Sequence, residues 1–212
     1  MMPGQLTPHH YACLYSWFAG LFARELDDQH LAQLQSPDVT LWLDHLAALP
    51  AMQDGVLALR NSIAALQLRP DARLELAADF AGLFLMSQKQ AALPYASCYQ
   101  PGDARLRQDA CEEMQTLLME AGLERHQAFP EPEDHLAINL ELLSHLSFAV
   151  SENMAKAAAC LELRDKALNQ LWRWLPAFNA HCSEHDPFGF YAAQSQLLLA
   201  LVKHDRMVLS QR

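Results

Sequence analysis

The chain has 212 residues, 51% of them hydrophobic, and carries 25 acidic against 15 basic residues, for a formal charge of −10. That length can bury a core without disulfides or a structural metal; no apolar run approaches the roughly 18–20 residues of a bilayer span, so no stable membrane insertion is expected; and the acidic excess argues against nucleic acid as partner, since binding a phosphate backbone needs clustered Lys and Arg. The same field serves solubility and attracts a basic partner.

The opening stretch "MMPGQLTPHHYACLYSWF" has neither the basic n-region nor the small-residue cleavage site of a secretory signal, so a cytoplasmic location is expected. Thr7-Pro8 reads as an N-cap and N1 pair. After it Tyr11, Leu14, Tyr15, Phe18, Leu21 and Phe22 fall on one helical stripe. A short helix near 29–35 stops at Ser36-Pro37, and another carrying Leu41, Trp42 and Leu46 ends before Pro50. Longer helices are predicted over 52–66 and 71–86. Pro94, Pro101 and Gly102 then break the period, making 87–103 a long loop, and loops of that size usually have a job.

A helix from about Asp103 runs to Gly122, which is placed as a left-handed C-cap. In "LERHQAFPEPED" the prolines disfavour helix and the apolar period lapses, so 125–134 is the expected hinge. Helices follow over about 132–151, from Ala155 into "LWRWLP", and from Asp186-Pro187 onward. Runs of β-branched residues bounded by turns are missing. The fold class is therefore all-α, a helical bundle in two parts, 1–124 and 135–212, joined by a Pro-rich hinge.

The usual signatures of chemistry are absent from the sequence. There are seven glycines but no GxGxxG, no GxxxxGK(S/T), no nucleophile elbow and no HExxH. The five cysteines, Cys13, Cys98, Cys111, Cys160 and Cys182, contain no CxxC and read as reduced, small hydrophobes. In "HCSEHD", His181, Cys182, His185 and Asp186 approach one metal only if the segment is helical. A surface loop before the last helix is the simpler account. Trp172, Trp174, Phe188, Phe190 and Tyr191 suit core packing, whereas Tyr95 and Tyr99, in the long loop, suit a groove. Glu131, Glu133 and Asp134 fit the acidic first turn of a helix, and His135 beside them suggests a group that switches charge near neutral pH. The sequence predicts no enzyme, no metal and no cofactor.

Four segments resist so bland an account. "DFAGLFL" (79–85), "LPYASCY" (93–99), "EPEDHLAINLELLSHL" (131–146) and "DPFGFYAA" (186–193) resemble, in order, the motifs of the TorD family of redox-enzyme maturation chaperones, over nearly the whole chain. The resemblance implies an all-helical cytoplasmic chaperone that binds the twin-arginine signal peptide and immature core of a molybdoenzyme, trimethylamine N-oxide reductase, and keeps it competent for molybdenum cofactor insertion before export. The cofactor in this reading belongs to the client. GTP binding has been attributed to the family and gives the alternative, a nucleotide-linked maturation factor, but no motif here supports it. A metal- or haem-binding protein using the ten histidines is a third reading.

The motif residues that carry over are Asp79, Phe80, Leu83 and Phe84, then Pro94, Ser97 and Tyr99, then Glu131, Pro132, Asp134 and His135, with Glu141 matching and Asn139 standing where many relatives are acidic. Tyr95 joins them as a groove candidate. A twin-arginine segment combines basic and apolar character, so its receptor needs carboxylates beside a hydrophobic groove. Glu131 and Asp134 are expected to meet the arginines, with Leu136, Leu140, Tyr95 and Tyr99 shaping the groove. The hinge also suggests monomer and domain-swapped homodimer in slow exchange.

Overall fold

The computed structural model describes residues 5–86, 91–100, 104–124, 129–152 and 157–211. Among these there are ten α-helices and no strand: α1 (Pro8–Ala23), α2 (Asp28–Leu34), α3 (Pro37–Ala47), α4 (Gln53–Gln67), α5 (Ala72–Phe80), α6 (Ala104–Glu120), α7 (Leu136–Glu152), α8 (Ala157–Trp172), α9 (Leu175–His185) and α10 (Phe190–Ser210). The all-α expectation holds. One isolated antiparallel bridge joins Tyr95 to His135.

Local signals set several helix ends where the sequence places them. Thr7 Oγ1 accepts from the His10 amide at 3.2 Å while His10 Nδ1 accepts from the Thr7 amide at 3.2 Å, a reciprocal cap with histidine in the usual Glu position. Ser36 Oγ accepts from the Val39 amide at 3.3 Å, with Pro37 supplying the first helical φ. Gly122 adopts φ 71°, and the Gly122 and Leu123 amides return to the Met119 and Leu118 carbonyls at 3.0 and 2.8 Å. Those two bonds are the Schellman pattern, satisfying the last carbonyls of α6.

The chain groups into two compact units assembled from separate stretches. One is mainly Arg24–Leu93 with Pro176–Val208; the other is mainly Leu6–Ala23 with Pro94–Leu175. Helices α6 and α7, which flank 125–134, fall in the same unit. Residues 125–128 of the expected hinge lie outside the described residues.

The first unit buries Met52, just before α4, with Leu59 and Leu66 of α4, and packs Phe80, Phe84, Phe178 and Tyr191 ring to ring, with centroids 5.0 to 6.2 Å apart. Gly55 admits a close approach in this unit, because a Cβ there would sit 2.9 Å from the Leu197 Cα. In the second unit α1 packs along α7, and Leu14, Tyr15, Phe18 and Phe22 of the one and Leu136, Leu140 and Leu143 of the other are all buried. Ser144 Oγ ties the pair by donating to the Ala12 carbonyl at 2.9 Å. Arg164 of α8 is buried, donating from Nε to Ser147 Oγ at 2.8 Å with its guanidinium 4.8 Å from the centre of the Tyr11 ring.

Four local expectations give way. The helix predicted over 71–86 is α-helical only to Phe80, and 81–85 winds as a π-turn; such turns often mark functional segments. α7 begins at Leu136 instead of 132, because Pro132–His135 is spent on a turn in which the His135 amide donates to the Pro132 carbonyl at 3.0 Å. "HCSEHD" is no surface loop, since most of it completes α9 and Cys182 is buried. Finally, α10 starts at Phe190, three residues after the expected Pro187; the Asp186 carboxylate caps it from outside, accepting from the Phe188 and Ala192 amides at 3.1 and 2.8 Å. Of the five cysteines only Cys182 is a buried hydrophobe; Cys13 is exposed.

Candidate functional site

The "LPYASCY" and "EPEDH" motifs fold against each other within the second unit. Ala96 N donates to the Asp134 carbonyl at 3.1 Å and Leu136 N to the Pro94 carbonyl at 2.8 Å, closing the Tyr95–His135 bridge. The Asp134 carboxylate, 3% exposed, accepts from the Ser97 amide at 2.9 Å (Oδ2) and from Cys111 Sγ at 3.2 Å (Oδ1). Tyr95 Oη donates to Glu131 Oε2 at 2.6 Å. Burial, then this carboxylate, push the Tyr95 hydroxyl well above its ordinary pKa, and burial with Asp134 lifts the Cys111 thiol to about 11. Both hydroxyl and thiol therefore stay protonated as donors. The loop is held by charge-assisted bonds from two sides.

His135 caps α7. Its Nδ1 accepts from the Ala137 amide at 3.0 Å, which leaves the proton of the neutral ring on Nε2. The ring stands edge to face between Tyr95 and Phe129, at 5.0 and 5.2 Å. Burial lowers its pKa to about 4 despite the opposing pull of the Glu131 and Asp134 carboxylates. His135 is thus neutral through the physiological range, and the expected switch near neutral pH is replaced by a fixed capping role.

Beside the clamped loop opens a pocket of about 320 Å³ walled by Tyr99, Asp109, Glu113, Gln170, Arg173 and Trp174. Tyr99 and Trp174 stack at 5.6 Å and 18°. The Arg173 guanidinium forks onto Glu113 with bonds of 3.2 and 2.8 Å, and Gln170 reaches the same carboxylate at 3.5 Å. These groups come from the turn after Tyr95, from α6 and from the end of α8. No single stretch of sequence contains them, which is why Asp109, Glu113, Gln170 and Arg173 carried no signal.

The other motif residues separate from this site. Phe80, Leu83 and Phe84 belong to the first unit and are 5%, 1% and 2% exposed, committed to its aromatic core. Asp79, in the same unit, has its carboxyl raised by burial and then by the charges of Asp186 and Glu75, with Arg69 opposing. Pro94 is buried and Pro132 exposed at the two sides of the clamp. Glu141 lies on the exposed side of α7, 3.5 Å from Ser16 Oγ. Among the described residues no group of three His, Cys, Asp or Glu side chains could hold a metal ion, and no helix is long and apolar enough to cross a membrane.

Comparison with known proteins meets the motifs at this point. Residues 42–180 match the family described as nitrate reductase delta subunit. The chaperone protein TorD of Escherichia coli is 53% identical over 200 residues, 94% of this chain and 96% of that protein. The chain belongs to the TorD family of redox-enzyme maturation chaperones. TorD of Shigella boydii gives the same 53% over the same share of both chains, and that of Shigella dysenteriae 52%. A crystal structure described as a redox enzyme maturation protein, from Archaeoglobus fulgidus, is 17% identical and matches 92% of this chain and 95% of its own with a TM-score of 0.50, a likeness of fold. The curated relatives are named chaperones, a non-catalytic role.

Proposed function

We propose that this protein is a cytoplasmic chaperone for apo trimethylamine N-oxide reductase. It binds the client's twin-arginine signal peptide and immature core and holds the apoenzyme competent for molybdenum cofactor insertion before export. The observation that carries this reading is the pairing of the two family motifs in one clamp beside an open, acid-walled pocket with an aromatic floor. Such a surface suits a segment that is basic and apolar at once. The net charge of −10 favours its capture at long range.

In this reading Asp134 supports the receptor from within, because both of its oxygens are engaged and its side chain is covered. Glu131 holds Tyr95 at the rim. Hinge opening at 125–134, giving a domain-swapped homodimer beside the monomer, belongs to the same proposal and is checked by size-exclusion chromatography after storage at high concentration.

Calorimetric titration with the twin-arginine signal peptide of a trimethylamine N-oxide reductase tests the reading. Saturable binding, lost when the two arginines become alanine, is expected; a flat titration with the peptide alone and with the apoenzyme overturns it. The same instrument with GTP in place of peptide decides the nucleotide alternative.

A further inference from the structure

We propose that the pocket between the 96–100 turn, α6 and the end of α8 receives an arginine side chain of the client, and that Arg173 is a resident competitor for that place. The inference rests on the reading above that the client presents arginines, and it adds where one of them goes and what holds the site in its absence.

The pocket is built for a guanidinium. Asp109 and Glu113 are four residues apart on α6, so both carboxylates face the same side of the helix. Tyr99, half-buried and backed by the buried Trp174 in a stack, offers flat aromatic surface, on which guanidinium lies better than ammonium. The Gln100 side-chain oxygen is buried at the wall with no hydrogen-bond partner among the described residues. That oxygen gains a partner if the Gln100 side chain turns toward an occupant, and guanidinium brings five donors in a planar fork.

The chain itself shows what the carboxylate accepts. Arg173 forks onto Glu113 at 3.2 and 2.8 Å from the pocket's edge. Yet the Arg173 side chain is 58% exposed and the Glu113 side chain 42%, and about 320 Å³ beside them stays open. An exposed pair of this kind is weakly held. Two guanidinium groups cannot fork onto one carboxylate, so an incoming arginine that also gains Asp109, Gln100 and the Tyr99 face displaces Arg173. A basic side chain lacking that fit does not. Arg173 therefore acts as a threshold, lowering affinity for every cation and sparing the pocket from unrelated basic peptides.

The test compares the full-length protein with Arg173→Gln, Glu113→Gln and Lys166→Gln by calorimetry against the twin-arginine peptide and its twin-lysine counterpart. Lys166 supplies the control, since it pairs with Glu120 at 2.8 Å between the same two helices and its loss changes net charge by the same amount as loss of Arg173. We expect Arg173→Gln to tighten the arginine peptide about fivefold, the equivalent of about 1 kcal/mol. Glu113→Gln weakens it at least as much, while Lys166→Gln changes it less than twofold. Equal tightening by Lys166→Gln, or none by Arg173→Gln, overturns the proposal while leaving peptide binding intact. Should the wild type bind no peptide, the functional reading falls, and the pocket is judged with N-acetyl-argininamide, followed by the Trp174 indole NMR signal. Absence of any shift in both wild type and Arg173→Gln then sinks the pocket as well.

Discussion

Asp134 Oδ2 accepts the backbone amide of Ser97 at 2.9 Å across 37 residues of sequence. A buried carboxylate takes this position because it can receive two donors at once, the amide on one oxygen and the Cys111 thiol on the other. Asp134→Asn replaces one acceptor with a donor that must face one of those groups. Unfolding in urea should show a loss of about 2–3 kcal/mol, and hydrogen exchange should report lost protection at Ser97 before any change at Leu143. Unchanged exchange at Ser97 would mean the clamp does not depend on this carboxylate.

Stability should fall on acidification with a share owed to His135. The unfolded histidine takes up its proton near 6.5, whereas burial holds the folded one to about 4. Between those values the unfolded state binds more protons, so stability rises with pH through the window and is lost on descending it. From pH 7 to 5 the contribution is about 2 kcal/mol. His135→Asn keeps an acceptor for the Ala137 amide without the titration and should flatten the slope. Asp79 and Glu141, whose carboxyls are raised, act with the opposite sign; the difference between wild type and variant isolates His135.

Gly55 and Gly20 are both helical glycines and should respond in opposite directions. At Gly55 a methyl group would meet the Leu197 backbone at 2.9 Å, and backbone yields less easily than a side-chain tip. Gly55→Ala should cost about 1–3 kcal/mol despite the better helix propensity of alanine. Nothing lies within 4 Å of a Cβ at Gly20, so Gly20→Ala should gain roughly 0.5–1 kcal/mol. Thermal melts of the two variants check both signs.

Alkylation should discriminate among the cysteines. Cys13 is exposed, while burial and Asp134 keep Cys111 protonated with its pKa near 11, and burial raises Cys182 further. Only the thiolate attacks. Iodoacetamide at pH 7.5 should label Cys13 first, with Cys111 and Cys182 reacting only in urea. Peptide mapping by mass spectrometry reads the order, and early labelling of Cys111 would contradict its bond to Asp134.

Local chemistry was enough to announce the all-helical architecture and several of its boundaries. Thr7-Pro8, Ser36-Pro37 and Gly122 act on backbone groups within one turn of themselves, so the sequence carries both the signal and its target. The likeness to a chaperone family was equally legible, because the motifs lie on continuous stretches. Tertiary structure decided the rest. Whether Asp134 faces an incoming arginine or the Ser97 amide depends on a partner 37 positions away, and whether "HCSEHD" is loop or helix depends on the burial of Cys182. The π-turn at 81–85 places Phe84 against Phe178 and Tyr191, residues remote in sequence. The pocket gathers Tyr99, Asp109, Glu113 and Arg173 from three elements. Periodicity reports which face of a helix is apolar; only packing chooses the face it meets, and the polar groups left at the edges of that contact form the site.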